Sequence, residues 1–167
     1  MLQKLSFLSP GGLRCAALAA VLTVGVALSA TAQVESVGLR LGGGQLLCGE
    51  VSARWPMDAN RVEAGLGWSR FGYHSDMGLG ATYQWHGQWH NGFGWYAGFG
   101  LHAAWQTWQS GHGDRNVAVA AMLQAGIEYS LPSSPISFTL DVRPRLYLVP
   151  DNQLLLGDVA LGVRYRL

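Results

Sequence analysis

The chain has 167 residues and 23 glycines; 49% of it is hydrophobic, only 13% is charged, and its formal charge is +1. A balance this near neutral excludes a basic footprint for nucleic acid, and two cysteines cannot build a disulfide framework. Sparse proline and the absence of low-complexity tracts argue against disorder.

Residues 1–32 read as a cleavable signal peptide. Lys4 and Arg14 supply positive charge, residues 15–28 are apolar apart from Thr23 and Gly25, and Ala30-Thr31-Ala32 is a small-x-small cleavage site. A spanning helix needs roughly 20 apolar residues, so this run is too short to be one. Residues 33–167 then form one domain, with Cys48 its sole cysteine and no apolar run long enough for a transmembrane helix. Export without a helical span leaves the periplasm, the cell surface or the outer membrane.

Eight segments of the mature chain alternate with period two, which is the side-chain period of a β-strand. The first, 36–41, sets Val37, Leu39 and Leu41 against Ser36, Gly38 and Arg40, and Gly42-Gly43-Gly44 reverses the chain. The second, 46–55, places Val51, Ala53 and Trp55 on one face and Glu50, Ser52 and Arg54 on the other, before a turn at 56–60. The third, 61–70, carries Val62, Ala64, Leu66 and Trp68 outward and Glu63, Gly65 and Gly67 inward; a short loop at 72–76 follows. The fourth, 77–86, opposes Leu79, Ala81, Tyr83 and Trp85 to Gly78, Gly80, Thr82, Gln84 and His86.

After a turn at 87–91 comes the most regular segment, 92–105. Phe93, Trp95, Ala97, Phe99, Leu101, Ala103 and Trp105 form an apolar face; Gly94, Tyr96, Gly98, Gly100, His102 and Ala104 form a small or polar one. Residues 106–115 are predicted as a long polar loop. The sixth strand, 116–129, ends in Ile127 and Tyr129 outward and Gly126 and Glu128 inward; the seventh, 136–143, opposes Phe138, Leu140 and Val142 to Thr139, Asp141 and Arg143. A loop is predicted at 144–153. The eighth strand, 156–167, sets Val159, Leu161, Val163, Tyr165 and Leu167 against Asp158, Ala160, Gly162, Arg164 and Arg166.

The pattern predicts an all-β, eight-stranded antiparallel up-and-down transmembrane barrel. An even count returns both termini to one side, and strands of about ten residues suit a tilted crossing of about 9–11. The inward face is rich in glycine, as a barrel just wide enough for side chains requires; a sandwich would bury bulky apolar residues there. Trp55, Trp68, Trp85, Trp95, Trp105, Tyr129 and Tyr165 are the predicted aromatic belt facing lipid, with carbohydrate stacking the minority reading of the tryptophans. With the termini in the periplasm, 42–44, 72–76, 106–115 and 144–153 become outer loops.

Several stretches resemble a family of short outer-membrane β-barrel proteins of Gram-negative bacteria, similar in architecture to the OmpA/OmpX-type small barrels: Gly38-Leu39-Arg40-Leu41-Gly42, Glu63-Ala64-Gly65-Leu66-Gly67-Trp68, Thr82-Tyr83-Gln84-Trp85-His86, Trp95-Tyr96-Ala97-Gly98, Gly126-Ile127-Glu128-Tyr129 and Asp141-Val142-Arg143-Pro144. The resemblance implies outer-membrane location and eight strands, and it implies no reaction. The chain departs from the pattern at its end, where Tyr165-Arg166-Leu167 stands in place of a terminal Phe.

The inward charges, Arg40, Glu50, Arg54, Glu63, Glu128, Asp141, Arg143, Asp158, Arg164 and Arg166, are nearly balanced, so a charge-paired network filling the lumen is expected rather than an open ion path. No catalytic residue, metal or cofactor is expected. His86 and His90 have no Cys, Asp or Glu at ligand spacing, and the adjacent types in His74-Ser75-Asp76 cannot take up a triad's separate roles. The alternatives are a lipid A-modifying surface hydrolase built on Ser69 or Ser75 with His74 or His112, and a narrow pore. A soluble lipocalin-like barrel would need an apolar interior, which this sequence denies. The expected partners are outer-membrane lipid, the insertion machinery, and an extracellular ligand at loops 106–115 and 144–153, with the chain a monomer.

Overall fold

The computed structural model describes residues 33–42, 48–71, 74–108, 115–149 and 152–167; the expected signal peptide lies outside them. The strands are β1 (Ser36–Gly42), β2 (Cys48–Met57), β3 (Asn60–Phe71), β4 (His74–Gln88), β5 (Phe93–Trp108), β6 (Arg115–Ser130), β7 (Ile136–Val142), β8 (Arg145–Val149), β9 (Gln153–Leu155) and β10 (Val159–Arg166). They form one sheet in the order β5-β4-β3-β2-β1-β10-β7-β6-β8-β9, and pairing of β5 with β6 closes it on itself.

The ten segments make eight staves. β7 and β8 lie end to end along β6, with Ala125 opposite Val142 and Met122 opposite Arg145. Across the break the Leu123 N–H still donates to the Pro144 carbonyl at 3.0 Å. β9 and β10 form the last stave in the same way. Pro144 has no N–H to give its other neighbour, so that ladder fails there. Two residues, Arg143 and Pro144, then face three, Leu156 to Asp158, between the pairs Val142–Val159 and Arg145–Leu155. The extra residue is a β-bulge. It has a consequence for the lumen: Leu154 and Leu156 both face outward, and strict alternation would send Asp158 out as well, yet Asp158 is buried inside.

Glu35, just before β1, and Leu167, just after β10, sit at the end of the barrel that carries the tight turns. The Leu167 N–H donates to the Glu35 carbonyl (3.0 Å) and the Arg166 N–H to the Pro135 carbonyl (2.8 Å). Asp58 (φ 53°) makes the β2–β3 turn, and Asn91 (φ 57°) with Gly92 (φ 82°) makes the β4–β5 turn, left-handed positions that suit these residue types.

The strands run further than the sequence reading placed them. The loop expected at 144–153 is largely strand, because Leu146 and Leu148 alternate with Arg145, Tyr147 and Val149; the prolines at 144 and 150 masked that period. The loop expected at 106–115 gives up its ends to β5 and β6, and 109–114 lie outside the described residues. Pro56, read as a turn residue, pairs with Arg61 inside β2.

The faces divide cleanly. Leu39, Val51, Leu66, Phe99, Leu123, Leu140, Leu161 and Val163 point outward and are exposed, whereas Arg40, Arg54, Glu63, Gln84, Tyr96, Asp141, Arg143 and Arg164 are buried inside. Glycine makes that filling fit. A Cβ on Gly126 would sit 2.5 Å from the Tyr96 ring and 2.8 Å from Asp141 Cβ, so no other residue leaves room for that pair.

Candidate functional site: an ion-pair file in the lumen

Among the described residues, every paired charge in the interior except Glu128 (β6) is carried by β1–β3, by β7, β8 and β10, or by the breaks flanking them. Strands β4 and β5 contribute only neutral and histidine side chains to this face among the described residues, so long guanidinium groups from one side lie over small residues on the other.

The pairs form a single alternating file. Starting at the turn end, Arg61 reaches Glu128 at 3.4 Å, Glu128 holds Arg54 at 2.8 Å, and Arg54 holds Glu63 at 2.7 Å. Glu63 also holds Arg143 at 2.8 Å, and Arg143 stands 3.6 Å from Asp141. Asp141 holds Arg40 at 2.8 Å, Arg40 reaches Asp158 at 3.1 Å, and Asp158 closes on Arg145 at 2.6 Å. Glu50 branches from Arg143 at 2.6 Å, and Arg164 from Glu63 at 3.6 Å.

Glu63 is the hub. Its carboxylate takes Arg54 and Arg143 directly, accepts a hydrogen bond from Gln84 Nε2 at 2.8 Å and has Arg164 alongside. Two charged side chains out of water cost several kcal/mol each, and that cost is met only where geometry is good and remaining hydrogen bonds are made. Tyr96 adds to this arrangement: its hydroxyl donates to Asp141 Oδ2 at 2.9 Å, and the Arg54 and Arg61 guanidiniums lie 4.7 and 5.4 Å from its ring centroid. Arg164 donates to the Ser36 and Ser52 hydroxyls at 3.3 and 2.9 Å.

The structure thus gathers Arg40, Glu50, Arg54, Glu63, Glu128, Asp141, Arg143, Asp158 and Arg164 into one network. Arg166, read from alternation as inward, lies beyond the buried network, exposed at the barrel mouth, where it lines an open cavity together with Arg61 and Glu128; its Nη2 donates to the Leu131 and Ser134 carbonyls of the β6–β7 turn at 3.4 and 2.8 Å. Three members escaped the sequence reading. Arg61 shares its parity with Glu63 and could have been found by extending the third strand's count one residue. Arg145 was hidden in the supposed loop. Tyr96 was placed on the inner face but given no partner.

On the outside, Trp68, Trp85, Trp95 and Tyr165 are exposed, and Trp55, Trp105 and Tyr129 are half-buried. Trp85 packs with Tyr83 and Phe99 at ring-centroid distances of 5.5 and 5.6 Å, and Phe93 stacks on Tyr129 at 4.6 Å. Ser69 lies on β3, and His74 and Ser75 on β4; their side chains, like residue His112 and the side chain of Cys48, lie outside the described residues. His86 ends up near the tip of β4 and His90 in the following turn.

No protein-family model matches the chain, and no curated protein matches it. The fold is found among solved structures. Neisserial surface protein A (NspA) superposes with a TM-score of 0.58 at 12% identity, over 80% of this chain and 94% of that one. The outer membrane protein Ail of Yersinia pestis gives a TM-score of 0.51 at 13% identity, over 80% of this chain and 99% of its own. The chain has the fold of these small barrels.

Proposed function

We propose that this chain is a bacterial outer-membrane protein whose wall crosses the bilayer as eight staves, and that it works as a structural and surface-interaction element with a plugged lumen. The observation that carries the reading is the inversion of faces: a continuous ion-pair file inside, and exposed Val, Leu, Phe and Trp side chains around the outside. Soluble monomers seldom expose contiguous apolar patches beyond a few hundred Å², whereas hydrocarbon tails cover such a band at no cost. The plug follows from width, since an eight-stranded interior holds side chains and little else, and Arg54 and Gln84 at its middle are 1% and 0% exposed. Outer-membrane lipid and the insertion machinery are the partners this reading needs, and the loop end is the surface offered to an extracellular ligand. The chain acts as a monomer.

Membrane fractionation followed by gel comparison of unheated and boiled samples tests the location and the barrel together. The expected result is an outer-membrane fraction with a heat-shifted band. Recovery of the mature chain in a detergent-free soluble fraction would overturn the proposal. Planar-bilayer recording tests the plug, for which no discrete conductance steps are expected.

A further inference from the structure

At the turn end the last link of the file opens into a cavity of about 590 Å³, within the range usual for small-ligand sites. Both faces of the wall contribute to it: Arg61 and Glu128 from the lumen side, Arg166 from the end of β10, and Phe93, Trp95 and Tyr129 from the outer aromatic face. We propose that this cavity seats the phosphate headgroup of a phospholipid whose chains run down the outer wall over Phe93 and Tyr129. The proposal rests on the membrane reading above and places the lipid in the leaflet that the tight turns meet.

Charge points to an anion. Among the described residues Glu128 is the one carboxylate of the lining, and it is already held by Arg54 at 2.8 Å with Arg61 at 3.4 Å. Arg61 is buried and also donates to Gln84 at 3.1 Å, so it adds positive charge to the cavity floor without reaching out of it. Arg166 is the guanidinium placed to make contact. It is exposed, its Nη2 donates to two neutral carbonyls, and no carboxylate among the described residues pairs with it. Anchored through that one nitrogen, it keeps the N–H groups of Nε and Nη1 for a phosphate, the group that arginine grips with parallel hydrogen bonds. Shape points to an amphiphile. A free anion would use the polar half of the cavity and leave the aromatic half against water. In that half Phe93 stacks on Tyr129 at 4.6 Å, and the Trp95 indole lies across Gly87, where a Cβ would stand 2.6 Å from Nε1. Such rings favour the level where headgroups meet chains. A charged head on apolar chains satisfies both halves at once.

The test is native mass spectrometry of the folded chain in an uncharged detergent, with phosphatidylglycerol added to the micelles. Diacylglycerol of the same chains and inorganic phosphate are the comparison ligands. One phosphatidylglycerol per chain is expected to bind ahead of any further copies. Its apparent affinity should exceed that of diacylglycerol at least tenfold, fall at least fivefold in Arg166→Ala, and be unaffected by excess phosphate. Arg166→Ala should keep the heat-shifted band, because water can replace its bonds to the turn; the ligand series on the unaltered chain tests the site independently of that variant. Absence of a distinct first adduct, equal binding of diacylglycerol, displacement by phosphate, or unchanged affinity in a folded Arg166→Ala would each overturn the proposal. Equal binding of diacylglycerol would leave only a greasy annulus, and displacement by phosphate a free-anion site. The readout is taken in micelles and does not depend on where the chain resides. Failure of the membrane proposal, seen by fractionation, is therefore separately visible and would remove only the bilayer as the source of the lipid.

Discussion

The two arcs of the barrel wall solve opposite halves of one packing problem. Strands β4–β6 run 15 or 16 residues each without a break and present Gly78, Gly80, Gly98, Gly100, Ala104, Ala118, Ala120 and Gly126 to the lumen. The other arc is short-staved, interrupted at Pro144 and bulged at Leu156 to Asp158, and it carries nearly all of the arginines and carboxylates. Neither arc makes sense alone: small residues facing small residues would leave a channel, and charged side chains facing charged side chains would not fit a ring of eight staves. The charged arc also needs irregularity, because the bulge is what turns Asp158 onto Arg40 and Arg145.

The largest expected effect comes from removing the hub of the charged arc. Glu63→Gln leaves Arg54, Arg143 and Arg164 gathered around a neutral amide, and breaking a buried pair in this way costs about 3–5 kcal/mol. The loss of the unheated, fast-migrating band along a urea series measures it. A midpoint equal to the wild type would mean that the file contributes little and that the arcs differ in size alone.

The outer surface should not distinguish the arcs at all. Phe99 on β5 and Leu161 on β10 are both exposed, at 52% and 66%. If lipid covers the whole circumference, Phe99→Arg and Leu161→Arg each cost roughly 2–4 kcal/mol near the bilayer midplane, falling toward zero near an interface. Refolding into vesicles and urea titration would read this. A penalty on one arc only would place a protein partner, not lipid, against the other.

Within the small arc, glycines differ in how much they are needed. Gly126→Ala meets Tyr96 and Asp141 at 2.5–2.8 Å and should cost about 1–3 kcal/mol, the usual range for overpacking. Gly80→Ala meets nothing closer than Met122 Cε at 3.4 Å and should be close to neutral. Equal effects in the same urea assay would show that the glycines serve the backbone and not the filling.

The same contrast explains what was legible in the sequence. The small arc announces itself, since fourteen residues such as those of 92–105 alternate without exception, and the register follows from face alone. The charged arc is less legible. Pro144, Pro150 and the Leu154-Leu155-Leu156-Gly157 run break the period locally, and a bulge is invisible to a method that counts by twos. Balanced inward charge implied pairing, but which carboxylate meets which guanidinium depends on reach across the lumen. Arg143 meets Glu50 and Glu63 from far along the chain, and no spacing rule encodes that.

Arg164 and Arg166 give the smallest and most discriminating comparison. They stand two residues apart on β10, and alternation assigns both to the lumen, yet only Arg164 is buried, against Ser36, Ser52 and Glu63. Arg166 sits where the barrel opens to solvent and ties down the β6–β7 turn through two carbonyls. Arg166→Ala should therefore cost only about 0.5–1.5 kcal/mol, the usual net worth of hydrogen bonds that water can replace. Because its partners are neutral carbonyls, that loss should change little between low and high salt, where exposed ion pairs would weaken. Arg164→Ala should cost more, because it leaves a buried void over Gly38 and takes a cation from beside Glu63. If the two variants unfold at the same urea concentration, the mouth is sealed at Arg166 as well, and the boundary between plugged lumen and open cavity lies further out than the present pairing puts it.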